Sequence, residues 1–361
     1  MLKRVLIIQF GHHGDVLLAT APVTVVKKAH PDCEVDMLVY QETADVLHDN
    51  TDIARIHVVD RNWKKQGRLY KIRQELALAR SLRARRYDAV VNLAAPWRAA
   101  ALAKYSGAKK RIGYALARRD NAAWRWAHSD LVAPGDMDTH VVDDNLNSLK
   151  PLGLPFFGSY NPVNMAVAAA TRETLENKLK AQGWQGEDYV LAHPGSRWFF
   201  KCWDDDKTVE LLQKLLDSGE NIVLTASPDA REKAMIETIT GRLNTGGAAK
   251  LWVLSGCLTL RELAAAIGQS KLFIGVDSVP MHMAAAFDKP QVALFGPSWV
   301  NRWRPYSKAA SVIWAGDYGK LPHPNSINTA DQTRLLGAIP VEAVWQAVAK
   351  KLDAANYPQA V

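Results

Sequence analysis

The sequence predicts an α/β protein built from two doubly wound, parallel-sheet domains, and three observations lead there. Its 361 residues are roughly two domains' worth of chain, at about 100–200 residues each. Short apolar, β-branched runs alternate with amphipathic segments, the pattern of parallel strands covered by helices on both faces. That pattern restarts once, after a Pro- and Gly-dense stretch at 151–164 that reads as the linker.

In the first half the runs at 4–10, 35–40, 55–60, 89–93 and 111–114 read as strands, with helical patterns at 16–29 and 69–84. In the second half strands are expected at 189–193, 221–226, 251–254, 272–276 and 291–295. Helices are expected there at 208–216, 230–242, 260–266 and 281–286, and a last one at 341–352 that either domain could hold. The domains are therefore placed at 1–160 and 165–335, with a C-terminal helix and tail at 336–361. Both are Rossmann-like, and in such sheets ligands bind beyond the carboxyl ends of the strands, so an interdomain cleft is the expected site. The polar segment 317–333 is too long for a simple connection and reads as a surface loop or a lid.

Composition narrows the class. With 48% hydrophobic and 23% charged residues the chain is neither collagen-like nor largely disordered, and no apolar run reaches the length of a membrane span. The N-terminal apolar run is short, lacks a small-residue cleavage site and reads as a first strand, not a signal peptide. Cys33, Cys202 and Cys257 form neither a disulfide framework nor a metal pair, which suits a cytoplasmic protein. The net charge of +8 is lopsided: residues 1–150 carry 24 Lys and Arg against 17 Asp and Glu, the remainder 21 against 20. Within 61–125 there are 18 basic and 3 acidic residues, so one local surface expects a polyanion or serves as a solubilising face.

Three segments carry the chemistry. The first strand ends in Gly11-His12-His13-Gly14-Asp15, directly before a helix. The spacing is not that of a dinucleotide fingerprint. Asp15 caps the helix, or offers a carboxylate at the carboxyl end of the strand as a general base. His12 and His13 read as loop residues. In the second half, the strand ending at His193 runs into Pro194-Gly195-Ser196-Arg197 and then Lys201, a hydroxyl and two cations suited to a diphosphate. Trp198, Phe199, Phe200 and Trp203 read as packing more than as sugar platforms. Asp204-Asp205-Asp206 superficially suits a cation, but it precedes a helix, and capping with dipole complementarity explains it better. No metal site is expected. In the third segment a strand breaks at Gly275 into Asp277-Ser278, and Pro280 opens a helix whose N–H groups make an anion site. His282 lies one turn further on.

These segments resemble the ADP-heptose:lipopolysaccharide heptosyltransferases, glycosyltransferase family 9. The likeness rests on Gly14-Asp15, His193-Pro-Gly-Ser-Arg197 with Lys201-x-Trp203, Gly275-Val-Asp277-Ser278 with His282, and Phe295-Gly-Pro-Ser298. It runs through almost the whole chain and is strongest from 189 to 319. The stretches 197–203, 275–286 and 312–319 are most similar to the heptosyltransferase III branch, which adds the side-branch heptose to heptose II of the inner core. The resemblance implies a GT-B architecture and an inverting, metal-independent transfer from ADP-L-glycero-D-manno-heptose, with no cofactor. It implies Asp15 as catalytic base and Ser196, Arg197, Lys201, Leu258, Asp277, Ser278, Val279 and His282 as the donor-binding set, Leu258 touching adenine. Val279, followed by Pro280, stands where the first two branches usually have Gly, and the 196–201 turn is one residue longer; both departures point to a different acceptor. The implied partners are ADP-heptose and a phosphorylated lipopolysaccharide core at the inner face of the inner membrane, which the basic 61–125 stretch suits. No nucleic acid is expected. A heptosyltransferase acting at another core position is the alternative within the family. Outside it, a nicotinamide oxidoreductase lacks its glycine-rich turn, and a nucleic-acid module leaves Asp15 without a role.

Overall fold

The computed structural model describes residues 2–119, 121–156, 158 and 160–356. The chain divides into two compact units, Met1–Ala166 and Val167–Val361. Phe157 and Ser159 of the expected linker, and 357–361 of the expected tail, lie outside the described residues.

The first unit holds β1 (Arg4–Ile8), α1 (His13–Leu18), α2 (Thr20–Ala29), β2 (Glu34–Tyr40), β3 (Ile53–Val59) and α3 (Arg68–Ala84). There follow β4 (Ala89–Asn92), α4 (Trp97–Tyr105), β5 (Lys110–Tyr114), α5 (Ala122–Ala127), β6 (Asp130–Val132) and α6 (Val141–Asn147). Its six strands are parallel in the order β3-β2-β1-β4-β5-β6. Leu6 and Ile8 of β1 pack with Leu38, Val90 and, from the helices, Leu78, Leu82 and Leu102.

The second unit opens with α7 (Ala169–Lys180), β7 (Val190–His193), α8 (Asp205–Asp217), β8 (Ile222–Ala226), α9 (Ala230–Thr240) and β9 (Leu251–Ser255). It continues with α10 (Leu260–Gln269), β10 (Leu272–Val276), α11 (Val279–Ala286), β11 (Gln291–Phe295), α12 (Val300–Trp303), β12 (Ala310–Trp314) and α13 (Val341–Asn356). The order β12-β11-β10-β7-β8-β9 repeats the topology of the first sheet, strand for strand. The C-terminal helix is not a separate piece: Val344 and Val348 are fully buried in this core beside Leu215 and Ile339.

One expectation is corrected. The single helix expected at 16–29 is two, because Pro22 has no N–H to offer the Leu18 carbonyl. That carbonyl instead accepts from Asn145 Nδ2 at 3.3 Å, and the chain re-enters a helix at Thr20. The strand at 272–276 has the bounds expected of it, and Gly275 lies inside it, opposite His193, where a side chain would meet the Phe273 ring and the His193 carbonyl. Segment 317–333 is mostly exposed and irregular, with one short 3-10 turn at Pro324–Ser326. Among the described residues no helix is long and apolar enough to cross a membrane.

Candidate active site

In each sheet the first strand of the unit has the second strand on one side and the fourth on the other, so the direction of winding reverses beside it. Such a switch point opens a crevice at the carboxyl edge. Both candidate sites follow these strands.

In the first unit Asp15 is the third residue of α1, half-buried, and its Oδ2 accepts the His12 N–H at 2.7 Å. The capping role and the carboxylate at the strand's end are thus the same residue. Gly11 makes room for it: a Cβ there would lie 2.5 Å from the Asp15 Cβ and 2.6 Å from its Oδ2. His13 ties α1 to the 3-10 segment Gln41–Leu47 that follows β2, through Nε2 to the Glu42 carbonyl at 2.8 Å, and burial lowers its pKa. Along the same carboxyl edge stand cations held on aromatic faces. Arg61 lies 4.9 Å from the Tyr40 ring, which stacks on Phe10, and Arg119 lies 5.3 Å from the Trp97 ring. The sequence shows Arg61 and Arg119 only as charge; their ring partners, Tyr40 at the end of β2 and Trp97 at the start of α4, stand some twenty residues away in the chain, which no local pattern displays.

In the second unit the expected residues converge in part. Lys201 Nζ and Asp277 Oδ2 form an ion pair at 2.6 Å, with only 12% and 6% of the side chains exposed. Lys201 is therefore not a bare cation awaiting phosphate. Burial pushes the Asp277 carboxyl up, but Lys201, a hydrogen bond from Ser298 and the nearby His282 outweigh it and hold the pKa below its usual value. Ser278 is the N-cap of α11, yet its hydroxyl donates to the Val276 carbonyl at 3.2 Å and does not cap the helix. The side chain thus leaves the Val279 N–H without a cap; Pro280 has no N–H and that of Met281 donates to the Ser278 carbonyl at 3.2 Å, so the helix dipole supplies the rest of the partial positive charge there. His282, on the same helix, is buried. Ser196 is buried in the turn after β7, whereas Arg197 is exposed and enters no ion pair among the described residues. Leu258 is half-buried at the carboxyl end of β9, directly before the Thr259 cap of α10.

Glu232 is the residue that sequence reasoning missed. Buried in the first turn of α9, its carboxylate accepts from the Ser227 N–H at 3.1 Å and lies 4.0 Å from His193 Nε2. It also fills the space where a Gly195 side chain would be, so it props the turn that carries Ser196. The signal was a glutamate at the third helix position, ordinary enough on its own. Burial lowers the His193 pKa, and its Nδ1 pairs with Thr225 Oγ1 at 2.9 Å. Phe199, Phe200 and Trp203 are buried packing; Trp198 is half-buried and stacks on Phe200. The acidic run is explained by arginines: Asp205 pairs with Arg334 and Asp206 with Arg242, while Asp204 makes no side-chain cap. Among the described residues no group of His, Cys, Asp and Glu is arranged to hold a metal ion.

A family model described as Glycosyltransferase family 9 (heptosyltransferase) matches residues 75–333. The chain belongs to glycosyltransferase family 9. This family 9 enzyme is 35% identical over 341 residues to lipopolysaccharide heptosyltransferase 3 of Escherichia coli K12, covering 94% of this chain and 96% of the relative. Among solved structures it resembles a family 9 glycosyl transferase from Veillonella parvula, with TM-score 0.81, 23% identity and 97% of each chain covered. It also resembles the E. coli heptosyltransferase WaaC solved with ADP, with TM-score 0.74, 20% identity, and 96% and 99% covered. At those identities the structural likeness speaks for the fold alone, the GT-B architecture of these enzymes.

Proposed function

We propose that this glycosyltransferase transfers heptose from ADP-L-glycero-D-manno-heptose to heptose II of the lipopolysaccharide inner core. The curated relative that shares 35% identity along almost the whole chain is a heptosyltransferase 3, which supports that acceptor. The work divides between the units. In the first, Asp15 accepts the proton of the attacking hydroxyl as its oxygen bonds to the anomeric carbon. The bond from that carbon to the diphosphate oxygen breaks on the opposite face, its electron pair leaves with ADP, and the configuration inverts. In the second unit Lys201, Arg197 and the tip of α11 stabilise the departing charge in place of a bound cation. Ser196, Ser278, Val279 and His282 line the diphosphate and sugar, and Leu258 meets adenine. The acceptor is phosphorylated and lipid-anchored, so the enzyme works as a peripheral protein at the cytoplasmic face of the inner membrane.

The observation that carries this reading is the Lys201–Asp277 pair beside the uncapped start of α11, at the switch point of the second sheet. A carboxylate alone there would repel a diphosphate; fixed to Lys201, it orients an ammonium instead. Asp15→Asn tests the catalytic half. Turnover is expected to fall about 1,000-fold, within the range of general-base contributions, with ADP affinity unchanged in calorimetric titration. Near-normal turnover removes Asp15 as the base. Equal transfer rates with and without a chelator are expected as well, and strict cation dependence would contradict the charge assignment.

A further inference from the structure

We propose that α3 is the element that seats this protein on an anionic lipid bilayer. The inference rests on the reading that the acceptor is lipid-anchored, and it names the surface that meets the lipid. At about 100° per residue, Leu78 and Leu82 fall on one side of the helix and are its only buried residues. Leu69, Ile72 and Leu76 fall on the other side and are 85%, 51% and 50% exposed. The same outward stripe holds Arg73 between Ile72 and Leu76 and continues toward the C-terminus with Arg80 and Arg83, all three exposed. One helix face therefore changes along its length from apolar to cationic.

The cationic end opens into a groove of about 770 Å³ lined by Arg80, Arg83, Arg86 and Lys109. None of these four enters an ion pair among the described residues. The one carboxylate lining the groove, Asp88, accepts the backbone N–H groups of Lys3 and Arg4. Apolar side chains this exposed and contiguous are uncommon on a protein that floats freely. An interfacial helix has this composition, with leucines reaching the acyl boundary and arginines among the phosphates. A second copy of the chain would bring the same cations against each other, and a nucleic acid would leave the three apolar side chains without a partner. Anionic bilayer satisfies both ends.

The test is flotation of the full chain with vesicles that contain no lipopolysaccharide. Binding is expected to vesicles of phosphatidylglycerol and phosphatidylethanolamine and not to phosphatidylcholine, weakening in high salt. Arg80→Gln with Arg83→Gln should lower partitioning about 25-fold, roughly fivefold per cation. Leu69→Ser, Ile72→Ser and Leu76→Ser together should lower it at least tenfold, while transfer to a delipidated core oligosaccharide stays at the wild-type rate. Equal binding to neutral and anionic vesicles overturns the proposal, as does undiminished binding by either variant. Loss of transfer to the delipidated acceptor by the apolar variant overturns it too, because the stripe then serves the acceptor and not the bilayer. A wild-type chain that floats with anionic vesicles yet transfers no heptose would strike the proposed reaction and leave the docking surface standing.

Discussion

In the first unit Asp36 accepts from Arg85 Nε at 2.8 Å, Arg85 Nη2 at 2.9 Å and the Tyr87 hydroxyl at 2.6 Å, with His57 3.3 Å away. In the second unit Asp277 meets Lys201 and Ser298 just beyond the end of β10. Both carboxylates are buried, and both are held below their usual pKa against the pull of burial. They differ in place. Asp36 sits mid-strand in β2, opposite Leu6, tying β2 and β3 to the residues that follow α3. Asp277 sits where a strand gives way to a helix tip. Under the proposed function the same buried pairing is scaffolding inside the sheet and equipment at its edge, and position in the topology separates the two.

The largest effect that sharpens this contrast comes from Lys201. Lys201→Ala strands a buried carboxylate, which costs about 3–5 kcal/mol of stability. It should also lower kcat/KM for the donor by about 100- to 1,000-fold, the scale of losing one charge-stabilising group. Replacing both partners, Lys201→Met with Asp277→Asn, separates the consequences. Thermal melting should recover most of its loss, whereas transfer should not recover at all. Recovery of both would make the edge pair scaffolding as well.

Gly11→Ala probes the other unit. Its new methyl would press on the Asp15 carboxylate, and a misplacement of about 1 Å is enough for roughly 100-fold in rate. Donor binding should be untouched, since the substitution lies in the unit without Lys201. A parallel loss of ADP affinity would count against dividing the work between the units.

How much of this was legible beforehand follows from where each signal is stored. Strands in the middle of the sheets, such as β1, β7 and β10, are continuous apolar runs and stand out. The edge strands β6 and β12 are only partly buried and carry no such run, so they went unpredicted. The break between α1 and α2 was written in Pro22, but its consequence depends on Asn145, more than a hundred residues away. The site divides in the same way. Asp15, Ser278 and Pro280 are local punctuation at strand and helix ends. The pairing of Lys201 with Asp277, and of Glu232 with the Gly195 turn, joins residues far apart in sequence that become neighbours only when the sheet assembles.

Asp36→Asn tests the scaffolding side. Arg85 and His57 would lose a buried anion, so stability should fall by about 3–5 kcal/mol, while kcat measured well below the melting temperature stays at the wild-type value. A large loss of kcat would move Asp36 out of the scaffolding class.

The smallest effect is one of pH, and its sign is fixed by the direction of the shift. Hydrogen bonds from His57, Arg85 and Tyr87 prevail over burial and bring the Asp36 pKa down to about 2, below the value of about 3.9 for a carboxyl in an unfolded chain. Between those values the unfolded state binds the proton and the native state does not, so stability rises with pH there. The contribution is complete above about pH 4 and fades as pH falls through about 2. Acidification titrates other carboxylates too, Asp130 and Asp277 among them, so the informative quantity is the melting difference between wild type and Asp36→Asn. That difference should be constant from pH 7 to 5 and shrink steadily below pH 4. A difference that does not change with pH would mean that Asp36 contributes through shape and hydrogen bonding alone, and that its charge does not distinguish it from a buried asparagine.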